Sequence, residues 1–264
     1  MVGETDAVAA AEQLPAGRAY RQIVDAVERD LYAGVLQPGD RLPSEREMVA
    51  RYGVSRASVR EALRVLENSG LVRSRHGDRA GPLVLDPAGG PLADTMTRIA
   101  KLHGCTPGEL VGFRMVLESA ANQLAAYLRT EDQLTEIRGS LAAMRAAVDE
   151  GGEAFGRADF AFHECIVRAS RNTLLEYNLK AARQAVLAQI GDKIAQAGDA
   201  RAQLEESLRH HELVFAAIES GDGELAAALA KQSLLAYYGD ALAVDERLAL
   251  AKLCGPGENP FVNS

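Results

Sequence analysis

Residues 42–77 read LPSEREMVARYGVSRASVREALRVLENSGLVRSRHG, and the order of caps, apolar positions and breakers in that stretch leaves few folds open. Ser44 and Glu47 stand in capping-box spacing, where each satisfies a free backbone donor at a helix start, and Met48, Val49 and Tyr52 give that helix an apolar side. Gly53 suits the turn that follows, and Ser55 is a natural N-cap for a second helix. In the second helix Val59, Ala62, Leu63 and Leu66 recur at helical spacing and face a core, which leaves Arg56, Ala57, Ser58, Arg60 and Arg64 outward. Beyond Gly70, residues 71–75 and 82–85 read as two short strands, with His76, Gly77, Asp78 and Arg79 at the tip between them. Two short helices around a tight turn, followed by a basic ribbon, make a winged helix-turn-helix.

Charge separates this segment from the rest of the chain. Residues 41–79 hold nine Arg and no Lys against five acidic side chains, a balance of +4, whereas the whole chain carries −8 and the remainder therefore −12. Such asymmetry implies two parts with different partners. Arginines and a small hydroxyl in the first turn of an outward helix suit the DNA major groove, where a guanidinium pairs with a guanine edge or clamps phosphate. Cys105, Cys165 and Cys254 are odd in number and form no CxxC pair, which argues against a disulfide framework or a zinc ribbon. No apolar run approaches the roughly 20 residues that span a bilayer, and Glu4 and Asp6 are foreign to a signal peptide, so a cytoplasmic chain without membrane contact is expected.

From Leu92 onward nearly everything has helical periodicity. Breaks at Gly104, Thr130, Gly151-Gly152, Ser170 to Thr173, Gly198 and Gly221 to Gly223 divide it into about six or seven helices, an all-α bundle. Several ionisable residues fall on stripes that a bundle keeps apolar. Asp159 and His163 share a face with Phe155, Phe162 and Ile166, and His211 lies on the stripe of Leu204, Leu208, Phe215 and Ile218. Arg114 flanks a third stripe, Leu110, Phe113, Leu117, Leu124 and Leu128. Buried ionised groups need partners, since desolvation costs several kcal/mol each. A ligand, a metal or mutual pairing therefore belongs at the centre. For Arg114 two readings stand: an ion pair with Glu118 one turn on, or a fork that meets an effector carboxylate. Asn172 is read as the cap of the helix that follows it.

Two resemblances follow from these residues. Residues 20–84 resemble the DNA-binding domain of the GntR family of bacterial transcription regulators, through Gly34, Pro38-Gly39, Leu42 to Arg46, Val54 to Arg56, Val59 to Leu63, Leu66-Glu67, Gly70-Leu71 and Gly77. The resemblance implies DNA contacts from Arg46, Arg56, Ser58 and Arg60, with His76 and Gly77 at a wing tip that reaches a minor groove. Asp78 to Pro82 depart from the family's usual strand after the wing glycine. Residues 92–245 resemble the FCD effector-binding domain of the FadR-like branch, through Arg114, Leu117 and Glu118, Asp159 with His163 and Ile166, Ala169-Ser170 with Asn172, and His211 ahead of Gly221-Asp222. That domain binds a small carboxylate or acyl-coenzyme A, dimerises, and in many members holds a divalent metal such as zinc with one Asp and three His. Asp159, His163 and His211 match three of those ligands, and Ser233 stands where the fourth His is expected.

The expected organisation is a loose tail at 1–15, a winged helix-turn-helix at 16–86, a linker at 87–91, a helical effector-binding and dimerisation domain at 92–250, and a tail at 251–264. The expected function is a cytoplasmic, ligand-responsive repressor, a homodimer on a palindromic DNA operator. A helical metal-dependent hydrolase built on Asp159, His163 and His211 is the competing class, but the chain has no Glu-x-x-His pair, phosphate loop or nucleophile motif to support it. The inward polar cluster argues against a third class, an architectural DNA-binding protein without an effector.

Overall fold

The computed structural model describes residues 16–74, 80–86, 90–195 and 200–255. The chain divides into two compact units, Met1–Pro91 and Leu92–Ser264.

In the first unit, α1 (Ala16–Tyr32) lays Ile23, Val24 and Val27 into a core. The capping box expected at α2 (Glu45–Tyr52) is formed: the Ser44 N–H donates to Glu47 Oε2 at 2.8 Å, and the Glu47 N–H returns to Ser44 Oγ at 3.4 Å. Gly53 closes the helix at φ 63°, a left-handed conformation that glycine adopts without strain. Ser55 then caps α3 (Arg56–Asn68), accepting from the Ser58 N–H at 3.1 Å. Val59, Ala62, Leu63 and Leu66 are all buried against α1 and Met48.

The wing consists of β1 (Val72–Arg73) and β2 (Leu83–Val84), antiparallel with Val72 opposite Val84. On its other side β2 pairs with residues 40–42, through Leu42 N–H to Pro82 O at 2.8 Å and a bridge between Arg41 and Leu83. Within the departure at Asp78 to Pro82, Gly81 and Pro82 find their use there. At Gly81 (φ 84°) a Cβ would lie 2.0 Å from the Leu42 carbonyl oxygen, so only glycine lets the two backbones approach. The Arg41 guanidinium donates to Gly81 O at 2.7 Å and clamps the crossing.

The second unit contains α4 (Pro91–Leu102), α5 (Pro107–Leu128), α6 (Glu131–Ala147), α7 (Gly152–Ala169), α8 (Thr173–Ala195), α9 (Ala200–Ser220), α10 (Gly223–Tyr238) and α11 (Val244–Ala251). Thr106 with Glu109 and Thr130 with Gln133 form capping boxes, Asp222 caps α10, and Asn172 accepts from the Leu175 N–H as expected. The last expected helix is two, because α10 ends at Tyr238 and α11 restarts after a single 3-10 turn. α5 is the central helix and packs on α7, α8, α9, α10 and α11.

The buried side of α5 differs from the expected stripe. Val111, Arg114, Met115, Glu118, Ala121, Asn122, Ala125 and Ala126 face inward, whereas Phe113 is 41% and Leu128 38% exposed. Small and large side chains alike face the bundle, among them Ala121, Ala125, Met115 and Leu110, so size does not separate the two sides of α5. Ile137, Met144, Phe162, Ile166 and Ile218 form one apolar cluster; Val111, Met115, Val186, Leu234 and Leu250 form another.

Candidate functional site

On the first unit Arg46, Arg56 and Arg60 are exposed on the capped helix pair. Arg64 is exposed too and stands 3.7 Å from Glu61. Ser58 departs from the expected outward face: it is 8% exposed, with its hydroxyl 3.0 Å from that of Ser55. Its place one turn after the N-cap tucks it beneath the capping hydroxyl, on the edge next to Val59. His76 and Gly77 lie outside the described residues.

In the second unit α5, α7, α8, α9 and α10 surround a cavity of about 520 Å³. Asp159 and His163 of α7 and His211 of α9 meet in its wall, with one ligand atom from each within 4.8 Å of the others. His211 Nε2 is 3.0 Å from Asp159 Oδ1 and 3.2 Å from His163 Nε2, and His163 Nε2 is 3.5 Å from the same carboxylate oxygen. Adjacent ligand atoms about a tetrahedral ion with bonds near 2.0–2.1 Å are about 3.3 Å apart, so these separations suit a small divalent cation. His211 Nδ1 donates to Ser207 O at 2.5 Å, which fixes the tautomer and aims the Nε2 lone pair inward. The two imidazoles and the carboxylate thus converge, joined by hydrogen bonds as they stand or by a cation in place of the shared proton. Ser233 also lines the cavity, but its hydroxyl donates to Leu229 O at 2.8 Å within α10. The donor set present is one carboxylate and two imidazoles, an open site that fits zinc or a similar ion.

The electrostatics agree. Burial pushes Asp159 up, yet His163, His211 and Arg183 together hold it well below the usual carboxylate range. Burial pushes His211 down, but the Asp159 carboxylate outweighs it and raises the imidazole. His210, also in the cavity wall, is driven down to about 4 by burial in spite of Glu206.

Arg114 lines the cavity as a closed ion pair. Its Nε and Nη2 lie 2.6 Å from Glu118 Oε1 and its Nη1 donates to the Tyr238 hydroxyl at 2.5 Å. Sequence reasoning missed Arg183 of α8, which binds Asp159 Oδ2, and Asn122, whose buried Oδ1 has no partner among the described residues. Nothing in the local pattern separates Arg183 from an exposed helix arginine, since its acceptor comes from another helix.

Comparison with known proteins agrees with this division. Residues 19–81 match the family model "Bacterial regulatory proteins, gntR family", and residues 109–236 match the FCD domain model. The chain is a GntR-family transcription regulator of the FadR-like branch, with an FCD effector-binding domain. It is 29% identical over 205 residues to the HTH-type transcriptional regulator LutR of Bacillus subtilis, covering 77% of this chain and 90% of that one. It is 35% identical over 162 residues to the Uxu operon transcriptional regulator of Escherichia coli K12, covering 61% and 62%. Against the HTH-type transcriptional repressor NanR of Klebsiella aerogenes it is 30% identical over 155 residues, 58% of each chain. The alignments with these last two span less than two thirds of their length. Streptococcus agalactiae GntR shares the fold, with a TM-score of 0.60 at 22% identity over 82% of this chain and 97% of that one. These relatives are regulators rather than enzymes, which sets aside the hydrolase reading. Among the described residues no helix is long and apolar enough to cross a membrane.

Proposed function

We propose that this regulator represses transcription as a homodimer on a palindromic operator, and leaves the DNA when a small carboxylate occupies the helical cavity. The observation that carries the reading is the set of exposed arginines, Arg46, Arg56 and Arg60, presented by a capped helix pair beside a wing. Arg56 and Arg60 open the helix that would enter the major groove, Arg46 would hold phosphate, and His76 and Gly77 would reach the minor groove. Ser58, buried against Ser55, is left out of the base contacts. Residues 16–86 would form the DNA-binding domain and residues 92–250 the effector domain, joined at 87–91. A bacterial DNA-binding regulator works in the cytoplasm.

Asp159, His163 and His211 would hold a divalent cation such as zinc, whose charge favours an anionic effector in the cavity. Polar side chains in the wall, Asn122, Gln203 and Ser207, stand among apolar ones, Phe155, Leu204, Val214 and Leu234, a lining that suits a carboxylate carrying an apolar portion. The second copy finds support in α5, where Phe113, Val116, Tyr127 and Leu128 are 38–56% exposed. From Leu110 to Leu128 the charged side chains are Arg114 and Glu118, both buried, so that face offers solvent no charge. A helix apolar on both sides is normally covered, and a two-fold pairing of this stripe would cover it.

Footprinting on genomic DNA selected by the purified protein tests the proposal. Two protected half-sites with centres one helical turn, about 34 Å, or a multiple apart are expected. A single unpaired footprint would exclude the two-fold dimer, and no protection would exclude the operator.

A further inference from the structure

The cavity wall carries two arginines, Arg114 and Arg183, and they are not in the same state. Arg114 is 3% exposed and spends all three of its nitrogens on Glu118 and Tyr238. Any anion that engaged it would first have to strip a buried carboxylate of its partner. Arg183 has a single hydrogen bond among the described residues, from Nη2 to Asp159 Oδ2, which leaves Nε and Nη1 without an acceptor there. Its Cζ lies 5.3 Å from the centre of the Phe160 ring, within cation–π range, a contact that uses none of its N–H donors. The side chain is 17% exposed and lines both the large cavity and a smaller void of about 30 Å³.

We infer that Arg183, rather than Arg114, is the cavity's anchor for the carboxylate of the effector. Nη2 keeps a second N–H beside the one given to Asp159, and with the adjacent N–H of Nε or Nη1 it forms the parallel pair of donors that a carboxylate accepts best. Asp159 holds Arg183 by one nitrogen, so an incoming anion adds to this contact instead of replacing it. The inference rests on the proposal that a carboxylate effector enters this cavity, and it names the residue that receives it.

Trifluoroacetate serves as the probe, because it is a minimal carboxylate, fully ionised at neutral pH, and visible by fluorine NMR. Titrating it into the purified full-length protein is expected to give saturable line broadening. Arg183→Gln is expected to weaken binding roughly tenfold, and Arg183→Lys less, since an ammonium keeps the charge but not the fork. Arg145→Gln, which alters an exposed pair with Glu212, is expected to bind as the wild type does. Circular dichroism and melting temperature establish that each variant is folded, and Arg183→Lys carries the test where the glutamine variant is not. Wild-type affinity in folded Arg183 variants overturns the inference and leaves the carboxylate reading intact. No saturable binding by the wild type overturns the carboxylate reading and the inference with it.

Discussion

The Arg114–Glu118 pair gives a sharp energetic test, because both partners are almost wholly enclosed, at 3% and 6% exposure. Replacing Arg114 with methionine keeps the bulk of the side chain but leaves the Glu118 carboxylate buried. His163 Nδ1, 3.7 Å away, is too distant to take over the bond, and Arg183 acts on Glu118 only through space. Loss of one partner of a buried pair costs about 3–5 kcal/mol, whereas exchanging both partners for apolar side chains of similar volume is often neutral. Arg114→Met is therefore expected to lose about 4 kcal/mol, and Arg114→Met with Glu118→Met less than about 1 kcal/mol. For a slope of about 2 kcal/mol/M in urea, the single variant's midpoint falls by roughly 2 M and the double variant's by less than 0.5 M. Urea titration followed by circular dichroism reads both shifts. An Arg114→Met variant that loses under about 1 kcal/mol, or a double variant that loses as much as Arg114→Met, would refute the description of Arg114 as a closed structural pair.

Other perturbations address other parts of the molecule. Gly81→Ala places a methyl group against the Leu42 carbonyl at a positive φ and is expected to destabilise the first unit by more than about 1 kcal/mol, read as a lower melting temperature; an unchanged value would contradict the required close approach. Zinc at 100 times its dissociation constant is expected to add about 2.7 kcal/mol of stability, and His163→Ala to abolish that gain; a gain that survives the substitution places the ion elsewhere. Val116→Glu puts a charge on the outer stripe of α5, and light scattering is expected to fall toward the 28.2 kDa chain mass; a dimer that persists removes α5 from the interface.

Local chemistry made the first unit legible. Ser44, Glu47, Gly53 and Ser55 act on backbone within a few residues of themselves, so their spacing carries the helix pair in full. The pairing of residues 40–42 with β2 was not legible, because it depends on Gly81 meeting Leu42 from far along the chain. The break after α10 was missed for a related reason. Ala243 opens α11 with no side-chain acceptor of its own, and only its N–H, bound to Glu246, marks the start. In the cavity, the stripes of Asp159, His163 and His211 were visible because a charge on an apolar helix face is itself a signal. Arg183 carries no such mark, since its helix shows no clear apolar and polar sides, and its role arises only where α8 meets α7. The stripe on α5 was misread because that helix is apolar all round, which leaves periodicity unable to say which side is buried.

The central claim is that the exposed arginines of the capped helix pair read DNA, and operator affinity tests it most directly. Fluorescence anisotropy at fixed salt, on the DNA recovered by footprinting, compares the wild type with Arg56→Ala, Arg60→Ala and Ser58→Ala. Each arginine variant is expected to lose roughly 1–3 kcal/mol of binding, about tenfold or more, while Ser58→Ala, already turned into the core, binds within about threefold of the wild type. Wild-type affinity in both arginine variants would contradict the claim that α3 is the reading helix.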